Sequence, residues 1–180
     1  ITFKHRTAQR RFTDRVVWDR LRQNSPVYNG DLIRTAEGSE ATVYFSDGNI
    51  MDRNENTLAQ LYLNKKTGAA VQVNGGTIKV KTASSGMKIT SGKTTLTVAG
   101  KSAVTAEKGE NDSFSVQVGS GNALVSSGGT QSAVQKGEAV VLAEENAVPR
   151  KASFSVINPS QDAKFLSYVK QEMRVPFSFS

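Results

Sequence analysis

Apolar and polar residues alternate in short runs along most of the chain. In segments 41–45, 78–80, 96–98 and 114–118, apolar residues recur at every second position. A repeat of two places successive side chains on opposite faces of a β-strand. Glycines lie between the runs, at residues 68, 76, 86, 92, 100, 109, 119, 128 and 137, and glycine is readily accommodated in tight turns. The pattern therefore predicts many short β-strands joined by turns.

The spacing of these runs also indicates a fold class. Strands that are interrupted about every 8–12 residues are typical of all-β domains. We therefore predict an all-β fold, a stack of short, mostly antiparallel strands that forms a sandwich or a short solenoid-like structure. The spacing is too irregular to define a sequence repeat, so the pattern leaves the choice between sandwich and solenoid open.

The alternation ends near residue 145, and Pro149 follows. Loss of periodicity together with a proline is typical of a domain edge. The predicted organisation is a β domain over 1–145, a linker over 146–156 and a C-terminal extension over 157–180. Within the extension, residues 159–173 suit one face of a helix and the last seven residues alternate like a strand. We interpret the extension as the start of a second β domain and leave the structure of 159–173 open.

The composition excludes several kinds of catalytic and metal site. The chain has no cysteine and one histidine, His5. Thiolate chemistry, multi-histidine metal sites and histidine-based catalysis therefore have no residues to support them. Residues 86–94 resemble a phosphate-binding loop, but five residues separate the glycines where the motif needs four, and a strand-like segment follows. We expect a protein that is not an enzyme and that has no cofactor.

Positive charge is concentrated in bands along the chain. The formal net charge is +7, and residues 65–108 contain eight lysines against a single acidic residue. Lys79 and Lys81 alternate with apolar residues on one predicted strand, and Lys88 and Lys93 follow on the next segments. Because neighbouring strands lie about 4.8 Å apart, the four lysines are candidates for one patch that binds an anionic glycan, a lipid headgroup at a membrane surface or a cell-wall polymer. The alternative is that they keep exposed strands from pairing with other chains.

Fixed residue types occur in order between residues 18 and 57. A tryptophan precedes a Gly-Asp-x-Ile-Arg-Thr segment, a Gly-Ser pair, a strand-like run, an Asp-Gly turn and an Asn-Thr pair. The residues are Trp18, Leu21, Gly30, Asp31, Ile33, Arg34, Thr35, Gly38, Ser39, Ala41, Val43, Phe45, Asp47, Gly48, Ile50, Asn56 and Thr57. This order resembles the FecR domain. Segments 76–80 and 137–140 also fit the family, so the resemblance covers about residues 1–143.

The same segment has a physical interpretation independent of the family. Gly30 permits a turn in which Asp31 accepts hydrogen bonds from backbone N–H groups. Ile33 is expected to point inward, whereas Arg34 is free for solvent or a carboxylate. Trp18 is interpreted as an anchor in the core because a lone tryptophan beside apolar neighbours usually packs there; the alternative is that it stacks on a sugar or a base. The motif is mainly architectural.

The resemblance implies a role outside the cytoplasm. FecR domains are periplasmic and are usually anchored through an N-terminal membrane segment, which would lie upstream of Ile1. Members with an anti-sigma region pass a signal from an outer-membrane receptor to a sigma factor, and others combine FecR-like and immunoglobulin-like domains in envelope proteins. We therefore expect a non-enzymatic interaction, signalling or scaffolding module of the bacterial cell envelope with a protein partner there. Nucleic acid is not an expected partner, because the sequence predicts neither a recognition helix nor a row of interleaved aromatic residues.

Overall fold

The computed structural model describes residues 2–5, 8–12, 18–143 and 150–153, and the regular elements among these residues are all β-strands. In chain order the strands are β1 (Thr2–His5), β2 (Ala8–Arg11), β3 (Asp19–Arg20), β4 (Leu32–Thr35), β5 (Glu40–Tyr44), β6 (Ile50–Arg53), β7 (Leu58–Asn64), β8 (Gly68–Lys81), β9 (Met87–Ser91), β10 (Thr94–Val98), β11 (Ala103–Lys108), β12 (Phe114–Ser120), β13 (Asn122–Ser127), β14 (Thr130–Gln135), β15 (Glu138–Leu142) and β16 (Arg150–Ser153). The predicted all-β fold of short strands is confirmed.

The strands form two sheets that share the long strand β8. Sheet A has the order β1-β5-β6-β8-β11-β12-β15-β16 and uses residues 76–81 of β8. Sheet B has the order β3-β2-β4-β7-β8-β9-β10-β13-β14 and uses residues 68–75. These strand pairs are antiparallel except for β8 with β9, which is parallel. The stack is therefore mostly antiparallel, as predicted.

The chain alternates between the two sheets as it proceeds. Hairpins β5–β6, β11–β12 and β15–β16 lie in sheet A, and hairpins β7–β8, β9–β10 and β13–β14 lie in sheet B. Strand β8 crosses from sheet B to sheet A, and β9 returns to sheet B. After this full turn of the chain around the core, Lys88 of β9 lies beside Ala70 of β8 in parallel register. The fold is thus a sandwich whose chain path is solenoid-like.

The hydrophobic core lies between the sheets. One continuous cluster contains inward-facing residues of both sheets, among them Met51, Val80 and Val116 from sheet A and Val71, Leu96 and Val125 from sheet B. Full burial of an aliphatic side chain of this kind contributes about 1.5–3 kcal/mol. The alternation in the sequence thus separates core residues from those on the two outer faces.

Buried hydroxyl groups connect successive crossings between the sheets. Thr35 Oγ1 accepts a hydrogen bond from Thr57 N–H at 3.1 Å. Thr57 Oγ1 in turn accepts one from Thr77 N–H at 3.1 Å and donates to Thr77 O at 3.1 Å. We call these three residues the first hydroxyl ladder. It fastens β4, the β6–β7 connection and β8 together where the chain passes between the sheets.

A second hydroxyl ladder lies at the other end of the sheet A part of β8. Thr82 Oγ1 accepts a hydrogen bond from Ser102 N–H at 2.9 Å, and Ser102 Oγ accepts one from Asn122 N–H at 3.2 Å. The bonded residues are 20 positions apart in both steps, as they are between Thr57 and Thr77. The fold therefore contains a repeat that the uneven spacing of the strands conceals in the sequence.

A residue with positive φ comes directly before several ladder residues. These are Asn56 (φ 54°), Gly76 (φ 85°), Lys101 (φ 56°) and Gly121 (φ 72°). A Cβ added at Gly76 would lie 2.6 Å from Thr57 Cα, and one added at Gly121 would lie 2.8 Å from Ser102 Cα. Glycine is thus required at these two positions both by the backbone conformation and by the close approach of the previous ladder residue.

Sheet A extends past the boundary expected at residue 145. Strand β16 lies within 146–156, the segment interpreted as a linker, and pairs with β15 in antiparallel register. Its four residues, two of them basic, give no apolar alternation that would have marked a strand. The predicted extension 157–180, with its possible helix over 159–173, lies outside the described residues.

Candidate interaction surface

The turn at Gly30 and Asp31 precedes β4 and is fixed by hydrogen bonds. Gly30 has φ +86°, and its N–H donates to Leu61 O at 2.7 Å. The Asp31 carboxylate, with 2% of the residue exposed, accepts the N–H of Tyr28 at 2.8 Å, and Arg10 Nη1 lies 3.7 Å from Asp31 Oδ2. Burial raises the pKa of Asp31, whereas the Tyr28 N–H and the Arg10 guanidinium act against that rise. The carboxylate is therefore engaged within the turn.

The turn at Asp47 and Gly48 fastens the β5–β6 hairpin to the segment after β8. Asp47 accepts the backbone N–H and the side-chain amide of Asn49, each at 3.0 Å. Asn49 is fully buried; its Oδ1 accepts the N–H of Ala83 at 2.8 Å, and its Nδ2 donates to Gly86 O at 3.2 Å. Gly48 has φ +87°. Sequence reasoning missed Asn49, because an Asn beside Asp-Gly is typical of an ordinary exposed turn.

The residues around β4 divide between the core and the outer face of sheet B. Ile33 is completely buried and Thr35 belongs to the first hydroxyl ladder, whereas Arg34 is exposed. Trp18, which the sequence placed in the core, is half-buried and does not belong to the core cluster of the described residues. The interpretation of Trp18 as a core anchor is corrected accordingly: its ring lies against arginine side chains instead.

Arg11, Trp18 and Arg34 form what we call the arginine–tryptophan cluster. The guanidinium carbon of Arg34 lies 4.3 Å from the centre of the Trp18 ring, and that of Arg11 lies 5.3 Å from it. Both distances are within the range of about 6 Å over which cations are attracted to an aromatic ring. Arg34 Nε also donates to Gln9 Oε1 at 2.6 Å. Two cationic groups are thereby held in place on the outer face of sheet B.

The four lysines predicted to form an anionic-ligand patch lie on different faces. Lys79 and Lys81 point outward from the sheet A part of β8, because the apolar residues beside them face the core. Lys88 points outward from β9 in sheet B, on the opposite outer face, and Lys93 is exposed in the β9–β10 turn. The structure therefore does not assemble the predicted patch, since β8 changes sheet between the two groups of strands.

Arg53 is a buried cation that sequence reasoning missed. It lies at the end of β6 and is completely buried, on the same inward face as Met51. None of its three guanidinium nitrogens has a hydrogen-bond partner among the described residues. Burial lowers the pKa of Arg53 to about 9, so the side chain remains positively charged at neutral pH. In the sequence, Arg53 stands two positions after the apolar Met51 on the same strand, and this spacing could have indicated that Arg53 faces the core.

The described residues differ in what they offer for recognition or chemistry. The arginine–tryptophan cluster combines fixed cations with an amphipathic ring, a combination suited to binding an anionic group.

Among residues 8–12, 18–143 and the other described positions, no three His, Asp or Glu side chains are grouped so that they could hold a metal ion. The same residues include no helix of the length and apolarity needed to cross a membrane.

Comparison with known proteins relates this geometry to a family and a fold. The family model described as FecR protein matches residues 31–123. A relative in Treponema pallidum (strain Nichols), described as an uncharacterized protein, is 29% identical over 173 residues, an alignment that covers 93% of this chain and 26% of the relative. The chain thus spans about a quarter of that relative's length.

Solved structures share the architecture. Two crystal structures of candidate anti-sigma factors from Parabacteroides distasonis ATCC 8503 superpose with TM-scores of 0.61 and 0.62 at 16% and 14% identity. The first superposition covers 69% of this chain and 60% of the other, and the second covers 75% and 64%. At these identities the likeness establishes a common fold.

The family match includes the parts of the fold that hold the sheets together. It begins at Asp31 and ends at the second residue of β13, so it contains the Asp47-Gly48 turn and both hydroxyl ladders, whereas Trp18 lies before it. The match covers more than half of the 180 residues. The chain therefore belongs to the FecR protein family.

Proposed function

We propose that this chain is a non-enzymatic signalling or scaffolding module of the bacterial envelope that acts by binding a protein partner. The observation that carries the proposal is the FecR family match over residues 31–123. The fold shared with two candidate anti-sigma factors supports a regulatory role, because such factors act through protein partners. Family membership also supports a periplasmic location, with the domain held through a membrane segment upstream of Ile1.

The rigidity of the fold supports a binding role. The core and the two hydroxyl ladders hold both sheets in fixed positions, so the outer faces are ordered before a partner arrives. Preorganisation of this kind lowers the entropic cost of association. Large apolar side chains are exposed on these faces at Tyr62, Leu124 and Val141.

The binding of an anionic polymer or membrane surface has less support. That alternative depended on a single basic patch, and the lysines lie on both outer faces. The proposal is accordingly restricted to a protein partner.

Site-specific photo-crosslinking in living cells tests the proposal. A photoreactive phenylalanine derivative is placed at Tyr62 and Leu124 on sheet B and at Val141 on sheet A, in the full-length protein, one position at a time. We expect a light-dependent adduct with an envelope protein from at least one face, identified by mass spectrometry after cell fractionation. Unirradiated cells are the control.

The absence of any protein adduct at all three positions, with normal amounts of the protein in the envelope fraction, would contradict a partner-binding role. Adducts formed only with cytoplasmic proteins would contradict the proposed location.

A further inference from the structure

Among the described residues, the arginine–tryptophan cluster is a cationic surface without an internal counter-ion. Ion pairs between described residues join Arg10 to Asp31, Lys108 to Asp112 and Lys151 to Glu138, among others. Arg11 and Arg34 take part in none of them. A guanidinium has five N–H donors, and within the described residues only Nε of Arg34 is bonded, to Gln9. The remaining donors of Arg11 and Arg34 have no hydrogen-bond partner among the described residues.

The geometry of the cluster favours carboxylates. The Trp18 ring and Gln9 restrict both guanidinium groups before a partner arrives. A guanidinium fork matches a carboxylate in a bidentate arrangement, and prior restriction reduces the entropy lost when the bonds form. Two such forks on one face suit a segment with more than one acidic side chain.

The surroundings of the cluster favour a protein over a glycan or a lipid. Arg11 pairs in register with Leu32, which is half-buried on the same outer face. Tyr62, 40% exposed, stands two residues after Gln60, the register partner of Leu32, and so shares this outer face. Tryptophan, tyrosine and arginine are the residues enriched at the energetic centres of protein interfaces. Because guanidinium groups occupy the Trp18 ring, it is less available for stacking on a sugar.

We propose that the arginine–tryptophan cluster binds an acidic segment of the partner protein, with carboxylates received by Arg11 and Arg34. The proposal rests on the proposed function, because it names the surface and the chemistry by which the partner is bound. Glutamate or aspartate side chains of the partner lie against the outer face of sheet B beside Trp18, and apolar residues of the partner contact Leu32 and Tyr62.

Trp18 provides a direct reporter, because it is the only tryptophan in the chain. The complete 180-residue chain is titrated with a tryptophan-free decapeptide of alternating glutamate and alanine, and with a glutamine–alanine peptide of the same length. We expect a saturable change in Trp18 emission with the glutamate peptide, weakened by salt, and none with the glutamine peptide. Iodide should also quench Trp18 more efficiently than caesium does, because the cluster concentrates anions.

Two double variants with the same loss of charge locate the binding site. Arg11→Gln/Arg34→Gln is expected to weaken binding of the glutamate peptide about tenfold or more, since charge-assisted bidentate bonds are lost. Lys79→Gln/Lys81→Gln, on the outer face of sheet A, is expected to leave the affinity within about twofold, since a distant exposed charge acts weakly in salt. Arg11→Lys/Arg34→Lys, which keeps the charge but not the fork, should bind with intermediate affinity. Thermal unfolding of each variant shows whether it is folded.

Equal loss of affinity in the sheet A variant and the cluster variant would overturn the proposal, since binding would then depend on net charge alone. The same titration with phosphatidylglycerol vesicles and with dextran sulfate distinguishes other anions. If these bind and lose affinity in Arg11→Gln/Arg34→Gln while the glutamate peptide does not bind, the cluster recognises a lipid or glycan and the proposal is wrong. Photo-crosslinks in cells that persist unchanged in Arg11→Gln/Arg34→Gln would overturn this inference and leave the proposed function intact.

Discussion

A positive charge enclosed in a core, as at Arg53, is costly unless acceptors replace the water that the charge has lost. Arg53 has no such acceptor among the described residues. The adjacent carboxylate of Asp52 lies on the other face of sheet A, where it accepts a hydrogen bond from Thr42 Oγ1. Arg53 is therefore a site at which the sequence is not optimal for stability.

Replacement of Arg53 with methionine is expected to stabilise the protein by about 1–4 kcal/mol, because an apolar side chain of similar length removes the buried charge and leaves no large cavity. Urea unfolding followed by circular dichroism measures the change. Arg34→Met, the same replacement at an exposed position, is the matched control and should not stabilise the protein. A lower free energy of unfolding for Arg53→Met than for the parent would show that the guanidinium has a stabilising partner.

The pH dependence of stability offers a separate test at the same residue. Burial lowers the pKa of Arg53 from its ordinary, much higher value in the unfolded chain to about 9 in the folded protein. Between these values the unfolded chain binds more protons, so the parent's free energy of unfolding rises with pH by up to about 1.4 kcal/mol per unit. The amount by which the free energy of unfolding of Arg53→Met exceeds that of the parent should therefore be constant below about pH 8. It should be smaller by about 2 kcal/mol near pH 10.5. An advantage that stays constant throughout would contradict the lowered pKa.

At the scale of elements, the hydroxyl ladders link strands that are distant in sequence. Thr57 bonds to both the N–H and the C=O of Thr77. Thr57→Val keeps the shape but removes the acceptor of the Thr77 N–H, whereas Thr77 O keeps the N–H of Asn54. We therefore expect a loss of about 1–3 kcal/mol in unfolding free energy. Thr97→Val, on an exposed position of β10, is the control and should change stability by less than about 0.5 kcal/mol. If the two variants have the same free energy of unfolding, the first hydroxyl ladder contributes little to stability.

The glycine before a ladder residue can be tested against a glycine of the same conformation in open space. Gly76 (φ +85°) and Gly129 (φ +80°) have nearly the same φ, but an added Cβ meets the Thr57 backbone at Gly76 and nothing within 4 Å at Gly129. Gly129→Ala should lower the free energy of unfolding by about 1 kcal/mol, from conformational strain alone. Gly76→Ala should lower the free energy of unfolding by about 2 kcal/mol more than that, because the Thr57 backbone of the first hydroxyl ladder must shift. Equal unfolding midpoints would show that the close approach is not rigid.

At the scale of the whole molecule, alternation predicted the strands well because burial of one face imposes a period of two. It could not predict which sheet a strand joins. Lys79 and Lys88 both alternate with core residues, yet they lie on opposite outer faces because β8 changes sheet between residues 75 and 76. The prediction that the four lysines form one patch was wrong for this reason.

Long-range pairing also limited the prediction of the candidate site. Arg11, Trp18 and Arg34 meet only because β2 and β3 pair beside β4, and no local pattern encodes that pairing. The ladders were hidden because threonine, serine and asparagine serve as alternatives at the same structural position. By contrast, Arg34 was expected to face outward, since its neighbour Ile33 is apolar and alternate residues of a strand face opposite ways.

The extent of the cooperative unit can be tested with a fragment that covers only the family match. A fragment of residues 31–123 ends at the start of β13 and lacks Val125, Val134, Val140 and Leu142, which are buried in the common core. Their loss exposes the inner faces of β10 and β12, because in a stacked fold each unit is stabilised by its neighbours. We expect the fragment to unfold at a lower urea concentration than a fragment of residues 8–153, as followed by circular dichroism. If both fragments unfold at the same urea concentration with transitions of the same steepness, β2, β3 and β13–β16 are appendages and the cooperative domain coincides with the family match.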